Sequence, residues 1–242
     1  MEEPCRIRPQ HAGRRNVAAS LRAAAAICGI ALLAPALGAA TATTGRIVGR
    51  VRLASPGASR PLTAPYGSRA LGSQGRPPRE IRNVVVYLQG MPATAVASRR
   101  YELRQEGELF LPHVLAVAKG ATVDFVNADA FYHNVFSLSR AGTFDLGRFP
   151  RGQTRDRKFD TAGLVKVFCH IHSDMSAVIM VFDNPWFTTA GDDGEFVLND
   201  VPAGRRTVTA WHERIGEAPP QTVGVPAGGE ATVEFSLPVT EP

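Results

Sequence analysis

Helical patterning is missing from this sequence. None of its 242 residues falls in a long amphipathic run, and the apolar stretches are short. In place of helices stand 23 Gly and 18 Pro, punctuating segments rich in Val, Phe and Thr. Short strand-like segments broken by Gly, Pro and Asp mark an all-β chain, and the length suits one large domain or two small ones. A membrane-length apolar run is also missing. Residues 23–37 fall short of the about 20 apolar residues that a spanning helix needs, and Pro35 interrupts them. Cysteine is scarce, with Cys5, Cys28 and Cys169 the only three.

Residues 1–42 read as an export signal. Arg14, Arg15 and Arg22 precede the apolar stretch, which exits into Gly38-Ala39-Ala40-Thr41-Ala42. A basic start, a short apolar run and a small-residue exit describe a secretory signal. Cleavage after Ala40 or Ala42 is expected, leaving a periplasmic or secreted protein with no stable membrane span. The Arg14-Arg15 pair raises the twin-arginine route beside the general one, and a retained anchor is the competing reading. Cleavage removes five of the 27 Lys/Arg and two of the 22 Asp/Glu, so net charge falls from +5 to +2. A nucleic-acid partner loses its main support. Cys5 and Cys28 leave as well, so Cys169 becomes a lone thiol in an oxidising compartment, without an internal disulfide partner and open to oxidation. A leftover cysteine needs a reason. It is either a buried, inert thiol or a thiolate held by a metal.

Along the chain, residues 45–53 alternate, with Ile47, Val51 and Leu53 on one face and Arg46, Arg50 and Arg52 on the other. Residues 54–80 are rich in Ser, Pro, Gly and Arg and read as a flexible basic loop. Strands are expected at 84–88, 101–103, 109–111, 114–118, 122–126, 135–138, 158–160 and 164–169. Residues 140–156 read as loop. Residues 177–182 are uniformly apolar, as in a strand buried on both faces. Beyond residue 184, Asp192-Asp193-Gly194 is a hairpin turn, and strands at 195–198, 207–211, 221–225 and 231–237 suggest a second small sandwich. The chain divides into 43–98, 99–183 and 184–242.

The chemistry concentrates in Val167-Phe168-Cys169-His170-Ile171-His172-Ser173-Asp174-Met175. Cys169 ends a strand, His172 follows three residues on and Met175 three after that. One tight loop can aim all three at a point. The fourth ligand must come from elsewhere. His133, just past the break at 127–129, is the best candidate, and His113 is its rival. Two imidazoles and a thiolate with a weak thioether suit one copper ion in either oxidation state, a type 1 electron-transfer site. Zinc gains nothing from a thioether. With no second Cys left, a thiolate-bridged pair of coppers is excluded. His170 falls on the opposite strand face from Cys169, at the surface beside the site. His212 reads as structural, and Trp186 and Trp211 read as core.

Phe125-Val126-Asn127-Ala128-Asp129, His133-Asn134-Val135 and Cys169-x-x-His172-x-x-Met175 together resemble the cupredoxins of plastocyanin and amicyanin type. The short Cys–His–Met spacing is closer to amicyanin. The resemblance implies a Greek-key sandwich over 109–182. It further implies His133, Cys169 and His172 as equatorial ligands, Met175 as axial ligand, and Asn134 hydrogen-bonded across to the ligand loop. It is this resemblance that prefers His133 to His113. The flanking strands at 45–53 and 84–88, with Asp192-Asp193-Gly194-Glu195-Phe196 and Val201-Pro202-Ala203-Gly204, resemble the carboxypeptidase-regulatory-like sandwich, a fold related to carbohydrate-binding modules. The whole chain resembles exported proteins of the methylamine-utilisation and plastocyanin-like type. A discontinuous outer sandwich with the cupredoxin unit inserted is the expected arrangement, and sequential domains are the other. The implied function is a non-enzymatic periplasmic electron carrier that exchanges electrons with a redox protein. A copper storage or delivery protein, working with a copper donor or acceptor, and a structural or carbohydrate-binding module are the rivals.

Overall fold

Alternation builds the first strand, β1 (Thr44–Ala54). Ile47 and Val51 are buried, while Arg46, Arg50 and Arg52 face out and pair with Glu230, Glu195 and Glu234 on the neighbouring strands. Gly49 lies on the inward face because nothing larger fits. A Cβ there would fall 1.8 Å from the Val233 carbonyl oxygen and 2.6 Å from the Phe196 ring. The structure, a computed structural model, describes residues 44–54 and 80–238. The expected export signal, with Cys5 and Cys28, and the basic stretch 55–79 lie outside the described residues.

A 3-10 turn at Glu80–Asn83 leads to β2 (Val85–Gln89), β3 (Arg100–Glu106), β4 (Leu109–Leu111), β5 (Val114–Ala118) and β6 (Thr122–Asn127). Next come β7 (His133–Ser139), β8 (Gly142–Phe149), β9 (Thr154–Lys158), β10 (Gly163–Phe168) and β11 (Ser176–Phe182). The chain then forms β12 (Phe187–Thr189), β13 (Glu195–Pro202), β14 (Gly204–His212), β15 (Gly216–Glu217), β16 (Gln221–Val225) and β17 (Glu230–Pro238). The fold is all-β, as the turn-rich, helix-poor sequence implies. Among the described residues no helix is long and apolar enough to cross a membrane.

Four sheets result. Two of them, β4-β3-β6-β9 and β5-β11-β10-β7-β8, face each other. Leu103, Phe110, Phe125, Phe149, Phe159 and Val165 fill the space between them with essentially no exposure. The other two, β13-β1-β17 and β12-β2-β14-β15 with β16 beside β14, enclose Ile47, Val86, Phe196, Val208, Phe235 and Leu237. Every described strand partner of β1 and β2 lies beyond residue 186. β1 runs antiparallel to β13 and parallel to β17, and β2 runs antiparallel to β12 and β14. A third apolar cluster, Val85, Val114, Val178, Met180 and Trp211, joins the outer face of the β5-β11 sheet to β2 and β14. It explains the unbroken apolar run of β11, whose five central residues are all buried. Trp211 is 8% exposed within this cluster, and Trp186 packs on the edge of the second core.

One stretch departs from the sequence expectation. Residues 140–156 were expected as loop, yet β8 and the start of β9 occupy most of them. Both are edge strands of their sheets, and all five residues of β9 are exposed. Edge strands tolerate charge and glycine because one flank faces water, so their alternation is faint. The strand expected at 158–160 ends at Lys158. Phe159 instead turns into the core, its N–H donating to the Ala121 carbonyl.

Candidate metal centre

Two local structures build the site. After β6 the Asn127 side chain ties the turn, its Nδ2 donating to the carbonyls of Phe131 and Phe149 at 2.9 Å each. Its Oδ1 accepts the Asp129 N–H at 3.0 Å, the side-chain mimicry of a backbone turn that favours Asn here. This turn delivers His133 as the first residue of β7, fully buried. The second structure is the connection from β10 to β11. The Cys169 N–H donates to the Met175 carbonyl at 3.2 Å, and the Met175 N–H to the His172 carbonyl at 3.1 Å, closing residues 169–175 into a tight loop. Phe168 is in register with Phe136 of β7, which brings the loop beside His133. Asn134 fastens the two. Its Oδ1 accepts the His170 N–H at 3.3 Å, and its Nδ2 donates to Asp145 Oδ1 at 2.8 Å. This is the cross-connection that the resemblance implies.

The loop and turn bring His133, Cys169 and His172 together. Nδ1 of each histidine lies 3.9 Å from Cys169 Sγ, and the three donor atoms fall within 4.8 Å of one another. A triangle with two such sides and a third no longer than that limit has a centre at most about 2.5 Å from each corner, close to the ~2.0–2.3 Å of metal–imidazole and metal–thiolate bonds. The donors therefore fit one ion. His133 is sealed from solvent, Cys169 is 5% exposed and His172 is part-exposed, so the centre reaches the surface at one imidazole. Met175 is 1% exposed and belongs to the same apolar cluster as Cys169.

The tautomer of His133 follows from its partner. Nε2 lies 2.8 Å from Asp129 Oδ2. A carboxylate only accepts, so Nε2 carries the proton and Nδ1 turns its lone pair toward Cys169. Burial pushes the Asp129 carboxyl up. Hydrogen bonds from the Glu108 N–H, the His133 imidazole and the Gly107 N–H outweigh that and hold it below the usual carboxylate range.

The other described histidines lie outside the donor group. His113 places Nδ1 3.0 Å from the Ser176 carbonyl and Nε2 2.7 Å from Glu213 Oε2, so both ring nitrogens are engaged away from the donor group. His170 stacks flat on Phe136, with centroids 3.7 Å apart and planes 2° apart, half-exposed beside the site. His212 is buried and accepts the Arg214 N–H at its Nδ1. Two participants escaped the sequence reading. Asp129 stands there in the strand break and in the segment that carries the resemblance, with no role of its own toward His133. Phe131 sets its ring 5.1 Å from that of His133 and 5.4 Å from that of His172.

No protein-family model matches the chain, and no curated protein matches it. Solved structures are similar to part of it. A copper-containing nitrite reductase from Thermus scotoductus SA-01 is 27% identical over 34% of this chain, with a TM-score of 0.32; the match spans 22% of the reductase. A purple cupredoxin from Nitrosopumilus maritimus is 25% identical over 30% of this chain and 81% of its own, with a TM-score of 0.28. An oxidised amicyanin variant is 20% identical over 33% of this chain and 79% of its own, with a TM-score of 0.32.

Proposed function

We propose that the chain is an exported cupredoxin in which His133, Cys169 and His172 would hold one copper ion, with the Met175 thioether as a further, weaker donor, and that it carries electrons between periplasmic redox proteins. The observation that carries this reading is the convergence of two imidazoles on one buried thiol, supplied by two separate elements at one end of a sandwich. When bound, copper supplies a one-electron couple between Cu(I) and Cu(II). The donor set suits both states, since thiolate and thioether favour Cu(I) and imidazole accepts either. The protein holds the geometry fixed through the Asn134 bridge and the 169–175 loop. The part-exposed His172 offers the path to a partner. Carriage fits Cys169 better than catalysis does: catalytic thiols favour helix N-termini, and this one follows a strand. We also assign β1, β2 and the strands after 184 to a discontinuous outer sandwich into which the copper unit is inserted.

The test is copper loading of the mature protein. Cu(II) is expected to give an intense blue, purple or green thiolate-to-copper band, lost in Cys169→Ser. A colourless protein without copper affinity overturns the reading. Reversible reduction with the metal retained supports the carrier. Loss of copper on reduction favours storage or delivery instead.

A further inference from the structure

Asp129 does more than accept one hydrogen bond. Its side chain is 12% exposed and bonded on both oxygens. Oδ1 accepts the Gly107 N–H at 2.7 Å, and Oδ2 accepts both the Glu108 N–H at 3.1 Å and His133 Nε2 at 2.8 Å. Gly107 and Glu108 form the turn between β3 and β4, with φ of 63° and 60°. The carboxylate is thus gripped by one sheet and aimed at an imidazole of the other. It cannot swing to solvent without breaking three bonds. Among the described residues it is the carboxylate found against a ring nitrogen of the donor group.

We propose that Asp129 is a positioning residue that locks the ring of His133 and biases the copper site toward Cu(II). This rests on the copper reading above. A carboxylate bonded to the distal nitrogen of a ligand histidine fixes the ring and raises its basicity at the other nitrogen. A fixed negative charge one imidazole away stabilises the doubly charged ion more than the singly charged one. Purely structural support would weaken binding of both ions alike. The proposal instead separates them.

The experiment measures Cu(II) and Cu(I) affinities by competition with chelators specific to each state, in wild type, Asp129→Asn and Asp129→Ala, together with the reduction potential. Cu(II) affinity should fall about 10- to 100-fold in the variants, with Cu(I) affinity changing several-fold less. Each tenfold change in the ratio raises the potential by about 59 mV for this one-electron couple. A variant whose Cu(II)-to-Cu(I) ratio matches wild type overturns the proposal, as does equal loss of both ions. Nitrogen NMR of metal-free wild type gives a readout independent of whether the variants fold. His133 should show its proton on Nε2, and a proton on Nδ1 overturns the assignment. Wild type that takes up neither ion refutes the copper reading itself, a result distinct from wild type and variants binding alike.

Discussion

Replacing Asn134 with alanine should uncouple the ligand loop from the strand that carries His133. Asn134 is 2% exposed and makes two side-chain hydrogen bonds, to the His170 N–H in the loop and to Asp145 on β8. The first is neutral and contributes about 0.5–1.5 kcal/mol, and the second ends on a carboxylate and contributes about 1.5–3 kcal/mol. Alanine removes both and leaves the His170 N–H without that acceptor. The expected loss is about 2–4 kcal/mol. At roughly 2–4 °C per kcal/mol for a chain of this size, the midpoint should fall by about 5–15 °C.

Urea denaturation of metal-free protein measures the free energy and thermal denaturation the midpoint, both followed by far-ultraviolet circular dichroism. Tryptophan fluorescence is the poorer probe, because Trp186 packs on the core of the other sandwich and Trp211 sits between the two sandwiches, neither beside the ligand loop. Copper release from the loaded protein should quicken in the variant, since the loop bearing Cys169, His172 and Met175 loses its cross-strand tie. A stability loss below about 0.5 kcal/mol, the range of ordinary surface changes, together with unchanged copper release, would refute the reasoning.

Glu213→Gln should destabilise at neutral pH. The His113 hydrogen bond outweighs burial and holds the Glu213 carboxyl below its ordinary value of 4.5. A depressed carboxylate contributes stability above its unfolded pKa and loses it as pH falls through the folded one. The wild-type advantage in thermal denaturation should therefore shrink as pH falls below about 5. An advantage that grows with acid contradicts the pairing. His113→Ala should leave the copper absorption band in place while His172→Ala abolishes it, because both ring nitrogens of His113 are spent on Ser176 and Glu213; a band bleached by His113→Ala would show a misassigned ligand.

Legibility of the site in the sequence tracked the distance over which it is assembled. Cys169 and His172 share one loop, so their spacing, together with Cys169 as a leftover thiol, pointed to them. His133 depends on β7 lying beside β10, a pairing between positions 136 and 168. No local pattern reports that pairing, and family resemblance had to choose between His133 and His113. Asp129 was read as punctuation because its chemistry needs the turn at Gly107 and Glu108, about twenty residues upstream on another sheet. The core strands were plain because burial forces apolar residues into them. The edge strands β8 and β9 were not, because solvent on one flank lets Gly142, Gly147 and a run of charge stand where alternation would otherwise show.

The uniform apolarity of β11 leads to a prediction about dissection. A strand facing one core alternates, and this one does not, because the second sandwich covers its outer face. Val114, Val178 and Met180 are buried there against Val85 and Trp211, with Leu164 and Phe182 beside them. Uncovering three such side chains costs about 1.5–3 kcal/mol each. The sum is on the order of 5–9 kcal/mol, an upper estimate because the unfolded chain also hides some of this surface. That matches the about 5–15 kcal/mol by which whole domains are stable. Residues 99–183 expressed alone should therefore aggregate or bind a hydrophobic dye, despite containing the entire donor group. Val178→Thr with Met180→Lys in that fragment should restore solubility, while the same pair in the full chain should destabilise it by placing a charge between the sandwiches. Size-exclusion chromatography and dye binding read both arms. A monomeric, cooperatively unfolding 99–183 fragment with the full chain's midpoint would show that the outer sandwich is not needed as a cover, and the apolar run of β11 would then need another cause.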